Sequence, residues 1–236
     1  MPNPMNAAFV ADPVRLHPAH LEREEFTVLE EFVDAAVLAP LVAEAHALRP
    51  RINRNYVPGM KKGGSVSYFD VRQHAPAIHA LYHSQAFITW LSALTGESLL
   101  TCPESDAHAC AVYYYTEAGD HIGWHYDTSF YRGKRFTVLL GLVQQSRSEL
   151  VARLYHKSGA RSEEEVRVAS HPGTLVVFNG DRCWHMVTPC GDGEDRVMLS
   201  MEYVTDRHMG LAQRLVSTVK DAVAYFGIKA LFPGGR

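Results

Sequence analysis

The sequence has little cysteine, little net charge and no long apolar run, and each shortage removes a class of function. Its four cysteines, Cys102, Cys110, Cys183 and Cys190, include no C-x-x-C pair. Neither a zinc knuckle nor a disulfide framework follows, and reduced thiols in a cytoplasmic protein are expected. A formal net charge of −3 argues against nucleic acid or an anionic membrane as the main partner. Nowhere do about 18 apolar residues follow one another, and the first residues lack a basic stretch leading into an apolar one, so neither a membrane span nor a signal peptide is expected. Internal repeats and low-complexity segments are also missing.

What is present is an ordinary globular composition, 236 residues of which 47% are hydrophobic, read as one domain over 1–236. Four prolines within residues 1–20 suggest an irregular leader. Val37, Leu38, Leu41, Val42, Ala45 and Leu48 form a helical stripe that Pro50 stops, and Pro40 inside it would kink the helix or mark its true start. Residues 53–65, with three glycines and two lysines, suit a mobile loop. A second helix is expected from Pro76 to a Gly96 cap. Between about 106 and 205 the pattern changes to six short β-type runs broken by turn residues, from AHACAVYYYT to RVMLSMEYV. That spacing predicts a sandwich or barrel. A closing helix is expected over about 208–226. The fold class is therefore mainly β with flanking helices (α+β).

Within the β-rich part, HIGWHYD ends in His125-x-Asp127. A chain with this much histidine and aspartate would show about 0.6 such pairs by chance, so the pair alone decides nothing. In extended backbone, however, residues two apart point to the same face. Downstream, VVFNGDRCWHMVTP places His185 just after an apolar strand and a turn. Two imidazoles and a carboxylate with open positions opposite make the facial triad of non-haem Fe(II) oxygenases. Arg196 opens the strand RVMLSMEYV. Its planar, permanently charged fork suits the distal carboxylate of a keto-acid chelated to that iron, and Tyr115 could add a phenolic hydrogen bond.

The ordered set Tyr115, Gly119, His125-x-Asp127, His185 and Arg196 resembles the Fe(II)/2-oxoglutarate-dependent dioxygenases, over about residues 106–205. The resemblance implies a double-stranded β-helix, a cupin-like jelly roll, with Fe(II) held by His125, Asp127 and His185. It also implies 2-oxoglutarate held by Arg196 and Tyr115, with O2 as second co-substrate. In many members a serine stands two residues after the arginine; here Met198 takes that place. The size and the ending YVTDRHMGLAQRLVSTVKDAVAYFG resemble the small freestanding amino-acid halogenases and their hydroxylating relatives. Halogenases of that group replace the metal carboxylate by glycine or alanine. This chain keeps Asp127, which points to hydroxylation of an unactivated C–H bond of a small polar substrate, with a free amino acid leading.

Substrate contacts are less sharply marked. Asp120, His121 and Glu117 are candidates for the substrate mouth, with a plain loop role as the rival. Glu202 and Ser200 share the parity of Arg196 along their strand, so Glu202 either receives a substrate ammonium or ends the strand in solvent. Arg72 is a candidate for a substrate carboxylate. Tyr113, Tyr114 and Tyr131 read as packing, Cys183 as inert, and His20-x-Glu22 as a copy of the ligand spacing without β context. Alternative readings keep the machinery but act on a protein side chain or an alkylated base, or drop catalysis altogether as a metal-binding cupin. Arg196 separates the last, since a non-catalytic barrel has no need of a keto-acid clamp.

Overall fold

The computed structural model describes Phe9 and residues 11–209; the helix expected from about 208 falls almost wholly outside them. The supposed leader carries helix α1, Pro13–Glu22, which starts where Asp12 caps the Val14 N–H and Pro13 takes the first position. Proline suits that place because its missing N–H has no partner in the first turn anyway. Strand β1 is Phe26–Leu29. Helix α2, Ala35–Ala47, begins upstream of Pro40, where Asp34 Oδ1 accepts the Val37 N–H, and runs through the proline. Burial of Leu41 and Ala45 on its inner face offsets the one hydrogen bond Pro40 removes.

Residues 53–66 depart most from expectation. They form a hairpin, β2 (Asn53–Val57) and β3 (Lys61–Val66). Gly64 permits it, since a Cβ there would lie 2.5 Å from Ile52. The expected second helix is three: α3 (Tyr68–His74), α4 (Pro76–Tyr82) and α5 (Gln85–Thr95). Ser84 divides the last two by capping the Phe87 N–H, a contact worth about 1 kcal/mol. Gly96 closes α5 at φ 73°, the left-handed cap that only glycine adopts without cost.

The remaining strands are β4 (Leu100–Thr101), β5 (Cys110–Tyr115), β6 (His121–His125), β7 (Arg135–Gln145), β8 (Leu150–Leu154), β9 (Glu164–Val168), β10 (Leu175–Asn179), β11 (Trp184–Val187) and β12 (Asp195–Val204). Every pairing is antiparallel, in the order β1-β10-β7-β12-β5-β3-β6-β11-β8-β9, with β2 beside β3 and β4 beside β12. The order makes a jelly roll. Strand β3 is its hinge piece, pairing Gly64–Val66 with β5 and Lys61–Lys62 with β6.

Alternation sorts the side chains into two compartments. Phe136, Val138 and Leu140 of β7, Cys110, Val112 and Tyr114 of β5, and Val197, Leu199, Met201 and Tyr203 of β12 join α2, α4 and α5 in one apolar core. Residues of opposite parity on the same strands face a cavity inside the roll. Strand β7 bulges against β12 between Val197 and Met198, and Gly141 there packs against the chain at Ser170 and His171. A Cβ on Gly141 would lie 2.3 Å from the His171 carbonyl oxygen, and backbone cannot swing aside as a side chain can. Gly141→Ala is therefore expected to cost roughly 1–3 kcal/mol or more, a fall in Tm of at least about 3 °C. Gly159→Ala, with nothing within 4 Å, should leave the melting curve where it is. Equal curves for the two variants would contradict this packing.

Candidate metal centre and co-substrate pocket

His125 ends β6 and His185 lies in β11, and the two residues are directly paired in register. Their rings lie 4.2 Å apart, centre to centre. Each ring is oriented by a backbone carbonyl two residues earlier: His125 Nδ1–H donates to Gly123 (2.8 Å) and His185 Nδ1–H to Cys183 (3.0 Å). That bond fixes the tautomer and leaves both Nε2 lone pairs free. Asp127, just past β6, closes the group: Oδ1 is 3.4 Å from His125 Nε2 and Oδ2 is 3.7 Å from His185 Nε2. The ligand atoms all lie within 4.8 Å of one another, and no other cluster of this kind occurs among the described residues.

The electrostatics suit a cation. Burial, with help from His125, pushes His185 down to about 4, so its imidazole is neutral near pH 7. Burial alone would raise the Asp127 carboxyl, but His185, His125 and Arg135 outweigh it and hold the group well below the usual carboxylate range. A neutral imidazole at His185 and a carboxylate anion at Asp127 are protonation states that suit metal ligation.

The cavity beside the cluster has a volume of about 890 Å³, its open mouth included. At one end lies Arg196, 1% exposed, opposite Tyr115 in the β12–β5 register. Its guanidinium carbon sits 5.0 Å from the centre of the Tyr115 ring, and the nearby phenol favours the charged form. Nε and Nη1 have no partner, and no carboxylate pairs with this arginine among the described residues. A buried guanidinium without a counter-anion is costly. The chemistry that would relieve the cost is a planar anion, and Ile122, Leu139, Leu150, Val187 and Met198 make the surroundings apolar. The donor set and this unpartnered fork together fit iron and a keto-acid.

The opposite end is polar, lined by Asp106, His108, Thr128, Tyr131, Arg135, Thr137, Ser200 and Glu202. Of these, Asp106, His108, Thr128, Arg135 and Thr137 have no counterpart among the residues singled out from sequence. The signal was available for two of them. Arg135, Thr137 and Leu139 share one parity on β7, as Arg196, Met198, Ser200 and Glu202 do on β12. Glu202 is neither an exposed strand end nor without a cation: it is buried, and Arg135 Nε donates to its Oε2 at 2.9 Å.

Four other candidates do not line the cavity. Asp120 is fully buried in a bidentate pair with Arg54 (2.9 and 2.6 Å) and accepts the N–H groups of Thr116 and Glu117. Its carboxylate therefore holds the turn before β6. Glu117 is an exposed partner of the same Arg54. His121 Nδ1–H donates to its own turn at Gly119 O, 2.7 Å away. Arg72 pairs with Glu104 on the surface. Tyr113 and Tyr131, read as packing, do face the cavity, and Tyr131 donates to Asp106 Oδ2 at 2.7 Å. His20 is buried against Thr27, away from the cluster.

Against known proteins, residues 10–132 match the family model described as Halogenase D. The chain belongs to the Halogenase D family. No curated protein matches it by sequence. Its fold is shared with the non-heme alpha-ketoglutarate-dependent epimerase SnoN from nogalamycin biosynthesis, at 17% identity and TM-score 0.68 over 84% of this chain and 85% of that one. It is shared too with a Pseudomonas putida prolyl-4-hydroxylase, 16% identical with TM-score 0.63, over 84% of this chain and 100% of that one. A Trichoplax adhaerens prolyl hydroxylase is 17% identical, with TM-score 0.64, over 86% and 92%. SnoN is also known in complex with Fe3+, alpha-ketoglutarate and nogalamycin RO.

The two readings of the acidic and basic candidates differ in what they lose. Asp120→Ala would strand a half-buried guanidinium and two N–H groups, and should destabilise by roughly 3 kcal/mol. Arg72→Ala removes an exposed ion pair and should cost less than about 1 kcal/mol. Urea titrations of both variants give the comparison. A stable Asp120→Ala protein with impaired substrate binding would restore Asp120 to the site.

Proposed function

We propose that the protein is an Fe(II)/2-oxoglutarate-dependent oxygenase that hydroxylates an unactivated C–H bond of a small polar molecule, with free amino acids as the leading class. The observation that carries this is the pairing of a His125–Asp127–His185 cluster with a buried, unpartnered Arg196 across one cavity. Iron and 2-oxoglutarate, with O2, supply an oxidant strong enough for such a bond, with release of succinate and CO2. The chain's own task is to hold and to exclude. His125, Asp127 and His185 offer three ligands. Arg196, seconded by Tyr115, would take the distal carboxylate of the keto-acid, and the apolar wall would keep water from its chain. The polar end, where Tyr131, Ser200 and Asp106 stand beside the mutually paired Arg135 and Glu202, supports a small polar substrate. Retention of Asp127 supports hydroxylation over halogenation, because a carboxylate leaves chloride neither a coordination position nor a favourable field. We place the enzyme in the cytoplasm, acting on a small molecule and not on nucleic acid or membrane. Four free, buried cysteines are consistent with a reducing compartment. No helix among the described residues is long and apolar enough to cross a membrane.

His125→Ala and His185→Ala should each abolish tight Fe(II) binding and turnover while the circular dichroism spectrum stays native. Arg196→Lys keeps the charge but loses the fork, and should raise KM for 2-oxoglutarate by about tenfold or more. Succinate release across a panel of free amino acids identifies the substrate class; equal rates on N-acetylated or peptide forms would favour a protein substrate. Asp127→Gly should lose most hydroxylation and bind Fe(II) more weakly, with affinity partly restored by chloride. Mass spectrometry of products at zero and high chloride reads the outcome, and wild-type hydroxylation by this variant would remove Asp127 from the ligand set.

A further inference from the structure

The three ligand residues are not held alike. His125 and His185 sit on paired strands, where the β-ladder fixes their backbones and a carbonyl fixes each ring. Asp127 lies beyond the end of β6, in a stretch without regular structure, so no ladder aims its carboxylate. Other groups meet it instead. Thr137 Oγ1 lies 2.9 Å from Asp127 Oδ2 and 3.0 Å from Glu202 Oε2. A hydroxyl has one proton and serves one carboxylate at a time. Glu202 Oε2 already has Arg135 Nε as donor, at 2.9 Å, which leaves the threonine proton for Asp127. Thr137 and Glu202 are themselves partners in the β7–β12 register, so the hydroxyl is anchored to the longest ladder in the roll.

On its other side Asp127 rests against Gly180. A Cβ there would stand 2.5 Å from the Asp127 carbonyl oxygen and 2.9 Å from its Cβ. Gly180 N–H donates to the Arg135 carbonyl (3.0 Å), and the neighbouring Asp181 accepts the Ser129 N–H (3.0 Å). The loop bearing the carboxylate is thus clamped between the β10–β11 turn and the start of β7.

We infer that Thr137, backed by the Arg135–Glu202 pair and faced by Gly180, is the positioning residue that aims the Asp127 carboxylate at the metal. It rests on the reading of His125, Asp127 and His185 as ligands. Glu202 and Arg135 act through Thr137: they fix which way its proton points. Polar groups that orient metal ligands in this manner are worth about 10- to 100-fold in metal affinity.

The test uses Co(II), whose affinity and visible absorption report ligand geometry without turnover. Thr137→Val is nearly isosteric and loses only the hydroxyl. It should weaken Co(II) binding by about 10-fold or more and change the absorption envelope, with a native melting curve. Thr137→Ser should restore both. In an Asp127→Gly background Thr137→Val should change affinity by less than about twofold, because two groups that act through one contact are not additive. Gly180→Ala provides an independent push on Asp127 and should alter the Co(II) spectrum in the same direction. Wild-type affinity and spectrum in Thr137→Val, where Asp127→Gly has lost both, would overturn the positioning role and leave the ligand assignment standing. An equal loss in both backgrounds would also overturn it. Wild-type affinity in Asp127→Gly itself would defeat the ligand assignment, and this inference with it.

Discussion

The two-residue alternation of β12 and its neighbours β5 and β7 governs the whole molecule. Along β12, Val197, Leu199, Met201 and Tyr203 enter the apolar core under the helices, while Arg196, Met198, Ser200 and Glu202 face the cavity. A slip of one residue would exchange the two sets and drive a guanidinium and a carboxylate into hydrocarbon, at several kcal/mol each. The ladder from Asp195 opposite Gln145 to Val204 opposite Arg135 prevents it, and the bulge opposite Val197 and Met198 pins the register. Cavity and core are therefore one construction. The packing of Phe136 and Tyr203 on one face is what presents Thr137 and Glu202 on the other.

The cavity wall treats its two arginines differently, and the difference separates structure from binding. Arg135 has Glu202 as a hydrogen-bonded counter-charge and stays charged despite burial, well above its ordinary value. Arg196 has a phenol and no carboxylate, so burial pulls it downward. A protein selected for stability alone would satisfy both or bury neither. On the proposed reading, Arg196, buried without a counter-anion among the described residues, is kept for a bound carboxylate in an apolar surround, where each charge-assisted bond counts for more than at the surface. The Arg54–Asp120 fork shows the opposite use of the same pairing: both forks are filled, and the turn before β6 is rigid.

Strands were legible in the sequence because short runs rich in β-branched and apolar residues, such as RFTVLLGLV and RVMLSMEYV, are separated by turn residues at roughly regular spacing. The candidate cluster was legible as a spacing, His125-x-Asp127 with His185 downstream, although Asp127 lies past the end of β6 and strand parity does not aim it. What was missed followed from composition overriding position. Prolines in residues 1–20 suggested irregularity, although Asp12-Pro13 is a cap followed by a first helical residue. Gly63 and Gly64 suggested a mobile loop, whereas β3 needs a residue without a Cβ to pass Ile52. Ser84 marked a new helix start within an apolar stripe that otherwise read as continuous. Arg135 and Thr137 share the cavity-facing parity of β7, but a charged residue opening a strand looks like a solvent-facing end until the partner strand is known. Only the pairing of Thr137 with Glu202 turns two polar residues on separate strands into one network.

Family and chemistry meet at Asp127. The Halogenase D match ends at residue 132, so it contains His125 and Asp127 but not Thr137, His185, Arg196 or Glu202. Family membership therefore leaves open what half of this cavity is built to do. The surroundings of residue 127 bear on that question. A site shaped for chloride in place of a carboxylate has no use for a hydroxyl directed at that carboxylate, nor for a glycine that makes room for an aspartate main chain. Here Thr137 supplies the one from strand β7 and Gly180 the other from the β10–β11 turn, and the Arg135–Glu202 pair determines where the threonine proton goes. A residual aspartate at 127 would not require them. Their presence ties the carboxylate into the ladder that also carries Arg196, so Asp127 and Arg196 are set by a single register, and the proposed oxygenating reading draws on four residues where the sequence motif offers one.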